Sequence, residues 1–200
     1  MPETKKDIWS EWLLNRRFGG NAEQMKAAMS FLYPIRDKVL QNANLGENET
    51  LLDIGCGDGL IAFGAFAKSK TVKVIFSDIS HDLLDHVKTL VQAANLAHRS
   101  QIIYASADDL SALDDEAVDI VTTRSVLIYV ENKVKAFREF QRVLKPKGRL
   151  SIFEPINRFH HPEPENIFAG YDVTPVVEIA NKLKAVYNSR QNPEKLNINK

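Results

Sequence analysis

The sequence has little of what marks an exported or membrane-bound protein. It holds one cysteine, Cys56, which cannot form an internal disulfide and therefore fits a reducing compartment. The amino-terminal stretch MPETKKDIWSEW has no apolar signal core, and no window approaches the roughly 20 apolar residues that span a bilayer. These absences predict a cytoplasmic location and no membrane segment.

The sequence also lacks an excess of charge of either sign, because its 26 Lys and Arg residues balance 26 Asp and Glu residues. No general field therefore attracts the chain to nucleic acid, although a local basic patch could do so. The length of 200 residues, with 44% hydrophobic residues, is typical of a globular protein. We predict one domain over residues 1–200, with a helical cap at 1–47, an α/β core at 48–155, and a lid loop and helix at 156–200.

Hydrophobic periodicity changes near residue 48. Before it, residues 4–44 follow a helical spacing that the candidate N-cap Asn21 and then Pro34 divide into two or three short helices. After it, short apolar runs at 50–54, 73–78, 101–106, 118–130 and 148–155 predict strands, the fourth of them running into a loop. The intervening segments 60–69, 81–96 and 133–144, and a last segment at 175–188, predict helices. This alternation predicts a doubly wound α/β fold with a mostly parallel sheet and helices on both faces.

The stretch LLDIGCGDGL, residues 51–60, places three glycines directly after the first predicted strand. Ligands of open parallel sheets bind at this end of the strands, where bare backbone allows close contact. The alternative is a tight turn with no ligand. A dinucleotide fingerprint requires glycine at the sixth place counted from Gly55, where this chain has Leu60, so an NAD-dependent oxidoreductase is disfavoured.

Carboxylates follow the next two predicted strands. Asp78 ends the second strand and could accept two hydrogen bonds from ribose hydroxyls, or it could cap the following helix. Asp108 and Asp109 follow the third strand and could meet an adenine amino group, with a plain N-cap as the alternative for either.

Taken together, LLDIGCGDG, FSDIS, SADDL, VDIVTTRSVLIYV and FREFQRVLKPKGRLSIFEP resemble the class I S-adenosylmethionine-dependent methyltransferases over residues 49–155. The amino-terminal WSEWLLNRRFGGN is similar to the cap of a bacterial subgroup of small members. The resemblance implies that the methionine part of the cofactor is cradled by Asp53, Gly55, Gly57 and Gly59, and that Asp78 holds the ribose hydroxyls. It also implies that Asp108 and Ala107 meet the adenine ring and Ile79 packs on its face, while Thr123, Arg124 and Ser125 lie beside the sulfonium. The candidate cofactor-binding residues are Asp53, Gly55, Cys56, Gly57, Gly59, Asp78, Ile79, Ala107, Asp108, Arg124, Ser125 and Arg17.

The implied activity is methyl transfer from S-adenosylmethionine to a small or medium-sized acceptor by in-line displacement, which yields S-adenosylhomocysteine. No residue is assigned as a base, because a sulfonium methyl is already activated. Nucleic acid is a less favoured acceptor, given the neutral charge and the absence of a recognisable RNA-binding module. The alternative is a non-catalytic protein that binds the same cofactor, such as a regulatory partner.

Several further residues have two interpretations. Arg16 or Arg17 could clamp the cofactor carboxylate or lie at an exposed helix end. Tyr33 and Tyr129 are predicted to be core residues rather than pocket walls. Cys56 is explained by its small size rather than as a catalytic thiol.

The carboxyl-terminal part carries the remaining predictions. His160 and His161, near Glu154, Glu163 and Glu165, are predicted to belong to a solvated lid rather than a metal site. After Pro155 we expect no pair of strands, whereas the resembled family ends its sheet with an antiparallel hairpin. A sheet without the hairpin would leave the fifth strand as an edge, which could support a homodimer.

Overall fold

The computed structural model describes residues 7–17, 21–154, 166–168 and 171–190. By internal contacts the chain divides into two compact units, residues 1–154 and 155–200, which we describe separately. The boundary falls beside the predicted start of the lid at residue 156. Organisation of the whole chain as one domain stays a prediction.

The first unit opens with helices. Helix α1 (Ile8–Ser10) is capped by the Asp7 side chain and continues as a π-helical turn over Glu11–Arg16. Helix α2 (Ala22–Asn42) begins at the predicted N-cap, since the Asn21 side chain accepts hydrogen bonds from the next turn of backbone.

The predicted break at Pro34 is wrong, because α2 runs through it without interruption. Proline removes one helical hydrogen bond and disfavours a helix interior by about 3 kcal/mol. The carboxyl-terminal half of α2 offsets this by burying Val39 and Leu40 in the core beside Ala62 and Ala65. Burial of two large aliphatic side chains contributes about 1.5–3 kcal/mol each, so packing prevails over local propensity.

A five-stranded parallel sheet forms the centre of the first unit and confirms the predicted fold class. Its strands are β1 (Thr50–Ile54), β2 (Lys73–Asp78), β3 (Ser100–Tyr104), β4 (Val118–Arg124) and β5 (Leu144–Phe153), in the order β3-β2-β1-β4-β5. Helices α3 (Leu60–Lys68), α4 (His81–Ala93) and α5 (Lys133–Val143) connect them. The order reverses between β1 and β4, which places a ligand crevice at the carboxyl ends of these two strands.

Two cores cover the two faces of the sheet. Leu51 belongs to one core and its neighbours Leu52 and Ile54 to the other, as expected when successive side chains point to opposite faces. The first core includes α4 through Val87, and the second includes α5 through Phe140. Helices therefore lie on both faces, as predicted.

Strand β5 begins earlier than predicted. The segment KPKG lies inside the strand, where the register with β4 shifts between the pairs Val118–Leu144 and Ile120–Arg149. Lys147 has φ of +68° in this bulge, so the extra residues are absorbed without ending the strand. Lys145 of this segment forms an ion pair with Asp119 at 2.8 Å, and Arg149 directly after it forms one with Glu49 at 2.6 Å.

The described residues of the second unit form a short hairpin and a helix. Strands β6 (Ile167–Phe168) and β7 (Tyr171–Asp172) pair antiparallel in a sheet of their own, so the expectation of no strand pair after Pro155 is wrong. Two-residue strands carry too little apolar alternation to be recognised in a sequence. Helix α6 (Val177–Arg190) confirms the last predicted helix.

Two further predictions concern the lid residues and the absence of a membrane segment. The proposed lid histidines, His160 and His161, lie outside the described residues, as do Glu163 and Glu165. Within the described ranges, no helix is both long and apolar enough to cross a membrane.

Candidate functional site

The carboxyl ends of β1, β2 and β4 bring most of the predicted site residues to one edge of the sheet. Pairing of Ile54 with Ser77 and with Thr123 aligns the three strand ends. The glycine loop (residues 55–59), Asp78 and the turn after β4 (residues 125–126) therefore surround a common crevice.

Asp53 lies beneath the glycine loop. Its carboxyl group is 2% exposed and accepts hydrogen bonds from Thr122 Oγ1 at 2.9 Å and from the Ala62 backbone N–H at 3.3 Å. Burial raises the pKa of this carboxyl to about 7, and the two hydrogen bonds oppose the shift. Asp53 thus ties β1 to β4 and α3, and fixes the loop above it.

This raised pKa makes stability depend on pH. The pKa of Asp53 is higher in the folded protein than in the unfolded chain, so the protonated carboxyl favours the folded state. This contribution to stability is complete below the unfolded pKa and is lost as pH rises through about 7. Asparagine cannot ionise at this position. We therefore expect the free energy of unfolding of Asp53→Asn, measured relative to that of wild type, to rise by about 2 kcal/mol between pH 5 and pH 8. Urea unfolding of both proteins at the two pH values measures this difference. If the difference in unfolding free energy between the two proteins were the same at both pH values, the pKa of Asp53 would not be raised.

The glycine loop needs at least two of its glycines for geometric reasons. Gly55 and Gly57 have φ of +61° and +56°. A Cβ on Gly55 would lie 2.4 Å from Val126 Cγ2, and one on Gly57 would lie 2.9 Å from Leu13 Cδ2. Between them, the buried Cys56 donates its backbone N–H to the Ser77 carbonyl. Burial raises the pKa of the Cys56 thiol well above its usual value, which argues against a thiolate nucleophile and agrees with its reading as a small residue.

Asp78 does not cap α4. The N-cap is Ser80, whose Oγ accepts the Leu83 N–H at 3.1 Å. The Asp78 carboxylate, 6% exposed, instead accepts the Gly57 N–H at 2.9 Å on Oδ2 and the Ser80 N–H at 3.0 Å on Oδ1. Burial raises the pKa of Asp78, and these bonds oppose the rise. The Ile79 backbone N–H also opposes the rise, so three backbone donors act on a carboxylate that has about four lone-pair sites, and capacity for a further donor remains.

The loop after β3 separates its two aspartates. Asp109 is exposed and accepts the Ser111 N–H at 3.2 Å, so it is the local turn residue. Asp108 is half-buried and accepts a hydrogen bond from the Ser106 hydroxyl, beside the buried Ala107. Ile79, which follows Asp78, leaves 49% of its surface exposed despite being apolar. An apolar surface and a half-buried carboxylate are suited to the face and the amino group of a flat base.

The two candidate arginines have different environments. Arg16 pairs with Glu11 at 3.1 Å on the surface, which agrees with the exposed-helix interpretation. Desolvation lowers the pKa of Arg17, the positive charge of Arg124 lowers it further, and Asp58 opposes both effects. Arg17 and Arg124 therefore act on one another near the glycine loop, where an anionic ligand group would relieve their repulsion.

The amino-terminal segment also approaches the crevice through Asp7 and Trp9, two residues that the sequence analysis did not single out. The Asp7 backbone N–H donates to Asp82 at 2.7 Å, and the Ser80 hydroxyl donates to Asp7 Oδ2 at 2.5 Å. Trp9 contacts the Tyr129 ring edge-on at 4.9 Å between centroids. The cap is thus attached both to the end of β2 and to the segment after β4.

The prediction that Tyr33 and Tyr129 are core residues is wrong. Tyr129 is 63% exposed and packs on Trp9, while Tyr33 is 45% exposed and covers the Arg36 guanidinium at 4.4 Å. An aromatic ring can stack on another ring or a cation at the surface, so its size alone does not place it in the core.

Glu154, which the sequence analysis treated only as a neighbour of the lid histidines, belongs to the crevice. Its Oε1 accepts hydrogen bonds from Thr123 Oγ1 at 3.0 Å and from the Val126 N–H at 2.9 Å. The signal available in the sequence was the same as for Asp78, namely a carboxylate at the end of an apolar strand.

Comparison with known proteins identifies the family. Residues 52–152 match a family model described as a methyltransferase domain. The chain belongs to this methyltransferase-domain family. The membership confirms the resemblance to class I S-adenosylmethionine-dependent methyltransferases, and the matched region contains β1 to β5 almost completely.

Individual relatives agree with this family. The chain is 31% identical over 154 residues to the ubiquinone/menaquinone biosynthesis C-methyltransferase UbiE of Rickettsia typhi, covering 72% of this chain and 61% of the relative. It is 27% identical to the tRNA 5-carboxymethoxyuridine methyltransferase of Escherichia coli, covering 76% and 56%. The chain therefore spans only about three fifths of the length of these two family members.

A solved structure agrees in fold. A Methanococcus maripaludis protein described as an S-adenosyl-L-methionine-dependent methyltransferase superposes with a TM-score of 0.61 at 23% identity, covering 100% of this chain and 79% of that protein. At this identity the likeness concerns the fold alone.

Proposed function

We propose that this chain binds S-adenosylmethionine in the crevice at the carboxyl ends of β1, β2 and β4 and transfers its methyl group to an acceptor. The observation that carries the proposal is Asp78, whose buried carboxylate is oriented by the Gly57 and Ser80 N–H groups beside the glycine loop and retains capacity for a further donor. A pair of adjacent acceptors matches the two vicinal hydroxyls of a ribose. Ser80 already caps the helix, so Asp78 is not required for that role.

The other residues fit the remaining parts of the same cofactor. The glycine loop leaves space only for bare backbone beside the methionine part, and Arg17 and Arg124 carry the charge that its carboxylate requires. Ile79 would pack on the adenine face, with Ala107 and Asp108 at its edge. Asp53 and Cys56 would support the loop from below, and Gly59, Thr123 and Ser125 would border the reactive end.

When bound, S-adenosylmethionine supplies a methyl group that is already activated for displacement. The chain's own contribution is to hold donor and acceptor in line and to keep water away, and such orientation can contribute about 7–11 kcal/mol. The buried Asp53 and Asp78 keep the loop rigid, and the cap segment, attached through Asp7 and Trp9, covers this edge of the sheet.

The acceptor is proposed to be a small or medium-sized molecule. One relative is named for a quinone pathway and another for tRNA, so family membership alone does not select the acceptor. Equal numbers of positive and negative residues disfavour nucleic acid. We further propose a cytoplasmic location, and a homodimer through β5, whose outer edge has no partner strand among the described residues.

Calorimetric titration with S-adenosylmethionine, S-adenosylhomocysteine and NADH tests the cofactor. We expect micromolar binding of the first two and none of NADH. Failure of both methionine derivatives to bind a folded chain would overturn the proposal, and tight NADH binding would replace it with a dinucleotide site.

A second candidate is a protein that binds this cofactor without catalysis. The five-stranded sheet favours it, because among the described residues no strand lies beyond β5 to wall an acceptor pocket. Incubation with methyl-labelled S-adenosylmethionine and a cell extract separates the two candidates. Label transferred to small molecules supports the enzyme, whereas binding without transfer supports the second candidate.

A further inference from the structure

Glu154, at the end of β5, has an unusual set of contacts for a carboxylate near the edge of a sheet. Its Oε1 accepts two hydrogen bonds, from Thr123 Oγ1 near the end of β4 and from the Val126 N–H in the turn that follows. Its Oε2 is shielded from solvent and accepts no hydrogen bond from the described residues. Burying a carboxylate is costly unless it is hydrogen-bonded, so this carboxylate is held in place by its bonds to the turn.

The turn that Glu154 holds has a strained backbone. Ser125 lies in this turn with φ of +58°. This left-handed conformation costs residues other than glycine roughly 1–2 kcal/mol. The Ser125 N–H donates to the Phe153 carbonyl at 2.9 Å. Phe153, the last residue of β5, and Glu154 directly after it therefore accept three donors from residues 123–126 and keep the turn in this conformation.

Val126 connects this turn to the glycine loop. A Cβ atom on Gly55 would lie only 2.4 Å from Val126 Cγ2, so the valine side chain packs directly against the Gly55 backbone. Close-packed interiors transmit a displacement of one group to its neighbour. A shift of Val126 would therefore move or loosen the loop at Gly55.

We infer that Glu154 is a positioning residue for the cofactor site, which acts through Val126 on the glycine loop and through Thr123 on the segment proposed to border the sulfonium. It makes its contribution without touching the cofactor. The inference rests on the proposed function, since it names a residue that prepares the same crevice for its ligand. It predicts that cofactor affinity depends on the two hydrogen bonds of Oε1 rather than on the negative charge.

Calorimetric titration with S-adenosylhomocysteine tests this dependence with a matched pair of variants. Glu154→Ala removes both hydrogen bonds, and we expect affinity to fall by about tenfold, within the usual range for coupling between sites. Glu154→Gln retains an amide oxygen that can accept both bonds, and its affinity should stay within about twofold of wild type. Thr123→Val removes one bond and should lie between them, which keeps the test available if Glu154→Ala does not fold.

A readout without ligand separates this inference from the proposed function. The amide proton and nitrogen shifts of Gly55 in the free protein should move in Glu154→Ala and stay close to wild type in Glu154→Gln. If wild type binds no S-adenosylhomocysteine, the proposed function fails, but these shifts still test the coupling. Wild-type affinity in a folded Glu154→Ala, an equal loss in Glu154→Gln, or an unmoved Gly55 resonance would each overturn the inference.

Discussion

Asp78→Ala is expected to weaken binding of S-adenosylhomocysteine by about 1.5–3 kcal/mol, which is the range for hydrogen bonds to a charged group. The substitution removes the two acceptors proposed for the ribose hydroxyls. It also releases the Gly57 N–H, which donates to Asp78 Oδ2, so the glycine loop loses one of its restraints. Both effects act against the ligand, and neither is replaced by solvent in this buried position.

Asp109→Ala is the matched control for this prediction. Asp109 is a carboxylate on the same edge of the sheet, but it is exposed and bonds only locally to Ser111. Calorimetric titration of wild type and the two variants should give normal affinity for Asp109→Ala. Equal affinities for all three proteins would remove Asp78 from the binding site.

Gly55→Ala is expected to disrupt the site still more directly. Alanine at φ of +61° is strained by roughly 1–2 kcal/mol, and its Cβ would lie 2.4 Å from Val126 Cγ2. The valine backbone is held by Glu154 and is not free to withdraw. Overpacking adds about 1–3 kcal/mol, so we expect the free energy of unfolding to fall by about 2–5 kcal/mol and cofactor binding to be lost.

Urea unfolding and calorimetric titration measure these two effects, with Gly46→Ala as the control. A Cβ on Gly46 would approach only the Glu49 side chain, at 3.4 Å, and should change stability little. The double variant Gly55→Ala/Val126→Ala removes the clash and should recover part of the stability. Unchanged stability in Gly55→Ala would contradict the tight contact between loop and turn.

The sequence predicted the sheet well because the signals for its strands are local. Strand β2 occupies residues 73–78 as predicted, since a continuous apolar run ends there at a carboxylate. The errors occurred where packing overrides local preference. Helix α2 continues through Pro34 because Val39 and Leu40 are buried beyond it, and β5 absorbs the KPKG segment as a bulge against β4.

The site was predictable as a set of strand ends, but not in its internal roles. From the sequence, Asp78 was left open as either a ribose ligand or the cap of α4, and Ser80, which is the cap in the structure, was not considered. Glu154 contacts the turn after β4, and Leu13 contacts the glycine loop, only after the chain has folded. Periodicity carries no information on such contacts between distant segments, so they had to come from the structure.

A crystal structure of the chain with S-adenosylhomocysteine would test the account most directly. We predict that the ribose hydroxyls lie within hydrogen-bonding distance of the Asp78 carboxylate, that the adenine packs on Ile79 near Asp108, and that the methionine part follows the glycine loop. Ligand bound away from the carboxyl ends of β1 and β2, or a ribose held by residues other than Asp78, would contradict it.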